Sequence, residues 1–327
     1  MGKNILFKHV KKLLPLIGIA IFIYIVYALN VEKIIDAFLS INPIFILIAL
    51  LLTIPRLIIR NYSWQLILKE QKITIRFLQS LKIMLIGVFY GSITPGYIGR
   101  LMRVPYLKEK TGEPYGKLFV NSVVETVIHT LSLYGMMILG ALLVISTIPE
   151  LFAVTVGWVV ILAVILFYFI KKERGEKLFF LLIKYFIPKN LKKQFNTFVS
   201  TFYADFPRMK KLMAPLFLGI FTWIIIFSQE YIIVIALGVD IPYIYFLLLF
   251  PIANTAGFIP ITFSGLGTRE LTAIFLFSTL FGVVEEQVFV FTLVGLIITD
   301  TFTGFIGFLI SLTEMREKKH RFSLFFH

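Results

Sequence analysis

Cysteine is absent from the 327 residues, which excludes a disulfide framework, thiolate catalysis and cysteine-ligated metal. Histidine occurs four times, at His9, His129, His320 and His327, too scattered to form a ligand pair at helical spacing. No cofactor and no metal are therefore expected. Charge is scarce as well: 15% of residues are Asp, Glu, Lys or Arg against 58% hydrophobic ones, and the mean hydropathy is +0.91. Soluble domains carry about 25% charged residues, so a soluble fold is excluded and a polytopic helical membrane protein is implied. The charge present leans one way, to a net +14. In a soluble chain that excess would point to nucleic acid. Here it lies between apolar runs, where orientation and anionic lipid account for it, and no nucleic-acid partner is expected.

A cleavable leader is not expected either. Lys8, Lys11 and Lys12 precede an apolar run from Leu13 to Leu29, but Asn30-Val31-Glu32-Lys33 lacks the small-residue pattern of a cleavage site. Full spans are predicted at 13–29, 43–60, 118–146, 152–170, 215–237 and 287–312. One set of loops is basic (Lys69, Lys72, Arg76; Arg100, Arg103, Lys108, Lys110, Lys117; the tail Arg316, Lys318, Lys319, Arg321). The alternate set is short and acidic (Glu32, Asp36, Glu150, Asp240, Glu285, Glu286). The positive-inside rule puts both termini in the cytoplasm, with the plasma membrane as the location.

Two apolar segments are broken by Pro and Gly with an arginine just beyond: Gly91-Ser92-Ile93-Thr94-Pro95-Gly96-Tyr97-Ile98-Gly99-Arg100, and Gly257 through Gly265-Leu266-Gly267-Thr268-Arg269-Glu270 with Pro260 inside it. Backbone freed at membrane depth survives only where protein or a wet cavity supplies partners. Segment 78–93 starts and ends at basic loops and 244–282 at acidic ones, so both read as re-entrant, from opposite faces. The alternative is eight helices, two kinked at Pro95 and Pro260. As one integral domain over 1–327, the chain divides into halves 10–147 and 148–312 of like order and opposite orientation, the inverted repeat of many transporters, with a basic tail at 313–327. An insertion at 171–214 carries eleven basic residues against three acidic ones. In it Leu191, Phe195, Phe198, Val199 and Phe202 fall on one helical face, which suits an interfacial helix or a cytoplasmic cap.

Ionisable residues inside spans default to pathway or partner roles. Glu125 and His129 share a helical face at i and i+4; Glu230 and Asp300 lie inside later spans. Arg100, Arg103 and Arg269 are forked donors suited to phosphate, although Arg103 also fits plain loop charge. Gly96, Gly99, Gly265 and Gly267 let backbone N–H groups approach the same anion. The candidate binding set is thus Arg100, Arg269, Glu270, Glu125, His129, Glu230 and Asp300, with no catalytic residue. The aromatic content, Phe 35 and Tyr 14, reads mostly as lipid-facing and interfacial.

At the two breaks the chain resembles the flippase-like membrane family named for the transmembrane region of lysylphosphatidylglycerol synthase, over about 10–312. Pro260, Gly265, Gly267, Arg269 and Glu270 match its second signature, and Pro95, Gly96, Gly99 and Arg103 its first. Arg100 stands where the family has Glu, and Thr126 and His129 follow Glu125 where it has Arg and Asp. The resemblance implies movement of a lipid or lipid-linked saccharide between leaflets. The soluble aminoacyltransferase domain of bifunctional members is not expected here, nor is lysyltransferase activity. The sequence thus points to a flippase for an amphiphile with an anionic headgroup, an anionic phospholipid or a polyprenyl-phosphate-linked substrate. Alternatives are a non-catalytic membrane subunit, as a homodimer or beside a soluble enzyme partner, and a membrane-embedded transferase on lipid-linked substrates.

Overall fold

The computed structural model describes residues 19–170, 207–259 and 262–324, with positions 174, 175, 177 and 204 between the first two stretches. Residues 1–18, Pro260 and the amphipathic stretch 191–202 lie outside the described residues. Among those described the fold is helical, with a single isolated bridge between Pro95 and Phe263 as its β structure.

Among the described residues five helices are long and apolar enough to cross a membrane: Pro43–Glu70, Tyr115–Leu143, Pro149–Tyr168, Met209–Ala236 and Glu285–Glu314. We label the elements α1 (Ile19–Ala28), α2 (Val31–Ser40), α3 (Pro43–Leu51), α4 (Thr53–Glu70), α5 (Phe77–Ser92), α6 (Arg103–Thr111), α7 (Tyr115–Leu143), α8 (Pro149–Ile170), α9 (Met213–Ala236), α10 (Tyr243–Ala256), α11 (Thr268–Phe281), α12 (Glu285–Leu296) and α13 (Phe302–Leu324). The starts follow local chemistry. Asn30 and Asn42 cap α2 and α3 by accepting from the N–H groups of Lys33 and Ile44, and Pro43 opens α3 where its missing N–H is harmless.

One boundary differs from expectation. The second span does not end at Arg60; α3 and α4 run on, with a step at Leu52, to Glu70. Its arginines, Arg56 and Arg60, are sheltered inside the bundle. The expected tail 313–327 is helical through Leu324 as a continuation of α13. Many aromatics are exposed on the outside of the bundle, Tyr62, Phe167, Phe217, Phe221 and Phe305 among them, while Phe246, Phe250, Phe277 and Phe291 pack in one buried cluster joining α10, α11 and α12. Ring quadrupoles favour such offset and edge contacts.

The bundle has a protein-facing centre and a lipid-facing rim. Half of the most apolar stretch of α7 is buried, against 6% of that of α8. Val154, Ile161 and Phe167 of α8 accordingly point outward. Loops expected on one side do meet: Lys33 approaches Glu286 at 3.9 Å, and Lys110 pairs with Glu314 at 2.9 Å.

Close helix contacts rest on glycine, as membrane packing favours. A Cβ on Gly307 of α13 would lie 2.0 Å from the Leu85 carbonyl of α5, whereas one on Gly157 of α8 meets nothing within 4 Å. Gly307→Ala is therefore expected to cost roughly 1–3 kcal/mol through overpacking, and Gly157→Ala to cost nothing. Thermal melting in detergent distinguishes them; equal midpoints for both variants would contradict the contact.

Candidate functional site

Both breaks fall at helix ends and turn toward each other. In the first, Pro95 lacks an N–H, and Gly96 (φ 59°) and Tyr97 (φ 56°) take left-handed conformations. A left-handed aromatic residue is sterically costly and persists only where its surroundings fix it. Thr94 does some of the fixing: its hydroxyl donates to the Tyr90 carbonyl at 2.8 Å and accepts the Gly99 N–H at 2.7 Å. The second break turns through Ser264 (φ 49°), Gly265 (φ 78°) and Gly267 (φ 90°). A Cβ on Gly265 would sit 2.8 Å from the Gly257 Cα, so the two arms of this turn close only on glycine. Besides the Pro95–Phe263 bridge, Ser264 donates to the Ser92 carbonyl at 2.9 Å, and Tyr97 meets Phe258 edge-on at 5.5 Å.

Beside this junction lies a cavity of about 30 Å³, room for roughly two waters. Its walls include Arg56, Arg60, Arg100, His129, Glu230 and Asp300. Arg56 and Arg60 come from successive turns of α4, Glu230 from α9 and His129 from α7. Asp300 stands in a one-turn π-helical bulge, Ile297–Thr301, between α12 and α13. Such bulges re-aim a side chain within an otherwise continuous helix and recur at functional sites.

Each charged group is held differently. Tyr97 donates its hydroxyl to Asp300 Oδ2 at 2.8 Å, and Arg100 lies over the same Tyr97 ring at 4.6 Å. Arg56 donates to the Thr299 carbonyl at 2.9 Å. His129 stacks on Trp223 at 4.5 Å, and its carbonyl accepts the indole N–H. Among the described residues, Arg60 Nε, Arg100 Nε, Asn254 Nδ2 and Glu230 Oε2 are buried without a hydrogen-bond partner, and all four side chains line the cavity.

Behind the cavity wall sit two closed ion pairs. Arg103 Nη1 is 2.6 Å from Glu125 Oε2, and its Nη2 donates to the Ser122 carbonyl and to Thr126. Glu125 also meets Arg60 at 3.6 Å. Arg269 pairs with Glu270 at 2.9 Å, while Glu270 accepts the Gly267 N–H at 2.6 Å and so ties the second turn to the start of α11.

The expected residues therefore separate into two groups. Arg100, His129, Glu230 and Asp300 are brought together around the cavity; Glu125, Arg269 and Glu270 are buried in pairs next to it. Arg103, which also fitted plain loop charge, is 2% exposed. Pro95 and the described glycines of both breaks form the junction. Sequence reasoning missed Arg56 and Arg60. Their signal was present: two arginines four apart, hence on one helical face, the first following Pro55 inside an apolar run. Arg56 lies 13 residues into the 28-residue helix, about 20 Å deep at ~1.5 Å per residue.

A multi-helix membrane protein whose two broken segments meet beside buried arginines and carboxylates is thus the class defined by fold and site. A family model for the lysylphosphatidylglycerol synthase TM region matches residues 15–307, and the chain belongs to that family. It is similar to the UPF0104 membrane protein PH1989 of Pyrococcus horikoshii, 22% identical over 82% of this chain and 86% of that one. It is also similar to the UPF0104 membrane protein MJ1595 of Methanocaldococcus jannaschii, 24% identical over 95% and 98%.

Proposed function

We propose that the protein is a flippase of the plasma membrane that moves an amphiphile with an anionic headgroup, a phospholipid or a polyprenyl-phosphate-linked saccharide, between leaflets. The observation that carries this reading is the cluster at the junction of the breaks: five arginines (56, 60, 100, 103, 269) face four carboxylates (125, 230, 270, 300). Ionised side chains are costly at membrane depth and are retained for a pathway or a partner. With Arg103 and Arg269 engaged by Glu125 and Glu270, one positive charge remains in excess among Arg56, Arg60 and Arg100 over Glu230 and Asp300. A phosphate matches that excess and the forked geometry of guanidinium. Arg100 and Arg60, each with a buried Nε lacking a partner, are its grips, while Arg269 is paired with Glu270 beside them.

The cavity is narrow, so passage of a headgroup requires the two broken segments to part. In the inverted-repeat arrangement, rocking of half 10–147 against half 148–312, with both termini cytoplasmic, opens the site to one leaflet and then the other. The bond from Ser264 to Ser92 and the Pro95–Phe263 bridge are among the contacts between the halves that such motion breaks.

The test is movement of labelled lipids, phosphatidylglycerol and a polyprenyl phosphosugar among them, across proteoliposomes holding the purified protein. Losing one charged contact of this kind costs about 1.5–3 kcal/mol, so Arg60→Gln and Arg100→Gln are each expected to slow translocation roughly 10- to 100-fold. Lys72→Gln, at an exposed charge, is expected to leave it unchanged. Wild-type liposomes that move no lipid of either class would sink the proposal.

A further inference from the structure

Resting on the anion-site reading above, we infer that Glu230 couples the cycle to protons: loading the cavity with an anion places a proton on Glu230, so headgroup and proton travel together. Glu230 is 1% exposed, lines the cavity, and leaves Oε2 without a hydrogen-bond partner. It forms no ion pair among the described residues. A carboxylate so placed is tolerated either protonated or in the field of a cation.

The groups around it decide which. On its own helix, Gln229 directs its amide nitrogen away, to the Ala49 carbonyl at 2.7 Å and to Thr53 at 2.9 Å. From α4 come Arg56 and, one turn on, Arg60; from α7, His129; from α10, the neutral Asn254; and from the bulge, Asp300. Arg269 and Glu270 of α11 lie within its electrostatic reach. Gly295 of α12 is bare there: a Cβ would come 2.7 Å from the Glu230 Cγ. The stretch Pro43–Leu51 of α3 contains no titratable residue.

Of these cations Arg269 is engaged by Glu270 and Arg60 meets Glu125, which leaves Arg56, within electrostatic reach of both Glu230 and Asp300, as the remaining cation beside Glu230. Asp300 is provided for separately, because the Tyr97 hydroxyl donates to it. An anion held by Arg56, Arg60 and Arg100 draws that positive field to itself. Glu230 then faces the anion, Asp300 and Glu270 without a cation of its own, and takes up a proton from the side on which the anion entered. The only bond made is O–H on the Glu230 carboxylate, and it is undone when the anion leaves. By linkage, protons and anion then favour each other's binding.

Calorimetric titration of the detergent-purified chain with dihexanoyl phosphatidylglycerol, in two buffers of different ionisation heat, counts the protons directly. Wild type is expected to take up about one proton per lipid, with affinity rising by up to ~10-fold per unit fall in pH. Glu230→Gln is expected to bind without proton uptake and independently of pH, whereas Lys72→Gln, at an exposed charge outside the cavity, keeps the uptake. Where Glu230→Gln fails to fold, Glu230→Asp serves instead and is expected to shift the pH range of uptake; an unmoved range counts against the proposal. Wild-type binding without proton exchange overturns the coupling and leaves the anion site standing, as does uptake that survives in Glu230→Gln. No binding at any pH defeats the anion site itself, and the coupling falls with it.

Discussion

Arg103→Met and Glu125→Leu are each expected to destabilise the protein by about 3–5 kcal/mol, while the double variant loses much less than the sum of the two. Arg103 is 2% exposed, and its guanidinium is divided among Glu125, the Ser122 carbonyl and Thr126, with the Trp64 ring 5.0 Å from its centre. Removing Glu125 leaves this charge in a place where neither water nor lipid can serve it. Removing Arg103 leaves Glu125 with the more distant Arg60, at 3.6 Å. With both gone, apolar side chains of similar bulk fill the space between α6 and α7, and only Arg60 is left short of a partner. The asymmetry follows from where the energy lies, which is in the desolvation of whichever ion is stranded. Unfolding by denaturant in detergent micelles checks it. Single variants within 1 kcal/mol of wild type would mean that solvent reaches the pair.

The same pair shows how far the sequence could be read. That the chain is a helical membrane protein with two broken segments was legible, because apolar run length and Pro-Gly interruptions act locally and need no partner to be recognised. Glu125 and His129 were found because a charge inside an apolar run is itself the signal. Arg103 was ambiguous for the opposite reason: it follows a break and precedes a run of lysines, so its linear context is a loop, and its burial depends on α6 folding back against α7. Arg56 and Arg60 were passed over: they fall toward the end of the expected span 43–60, where a charge ordinarily belongs to the interface. Recognising them required knowing that α4 continues to Glu70 through a polar, sheltered stretch. There Asn61 donates to the Phe77 carbonyl, and Trp64 donates to Asn121 at 2.7 Å. Tyr97 was unreadable: nothing in sequence places a left-handed tyrosine between an arginine and an aspartate 203 positions away.

Gly91 and Gly99 flank the first break and separate the site from the scaffold that holds it. A Cβ at Gly99 would lie 1.9 Å from the Tyr90 carbonyl oxygen and 2.6 Å from the Thr94 hydroxyl that accepts the Gly99 N–H. Neither a backbone carbonyl nor the hydroxyl that latches the turn can step aside without opening the break. Gly99→Ala is therefore expected to cost about 3–5 kcal/mol, the range reserved for core overpacking and broken hydrogen-bond networks, and to abolish lipid movement with it. At Gly91 the new Cβ meets a side chain instead: Arg100 Cγ at 2.7 Å and Nε at 3.4 Å. That stem swings away at the price of its stack on Tyr97, while alanine within α5 regains roughly 1 kcal/mol of helix propensity over glycine. Gly91→Ala should thus melt within a few degrees of wild type and yet lose anion binding to an extent comparable with Arg100→Gln. Measured side by side, melting temperature and retained phosphatidylglycerol divide the two variants: one fails in both, the other in binding alone. If Gly91→Ala keeps its lipid at wild-type levels, the position of Arg100 over Tyr97 does not matter to the anion, and the grip must be reassigned to Arg56 and Arg60.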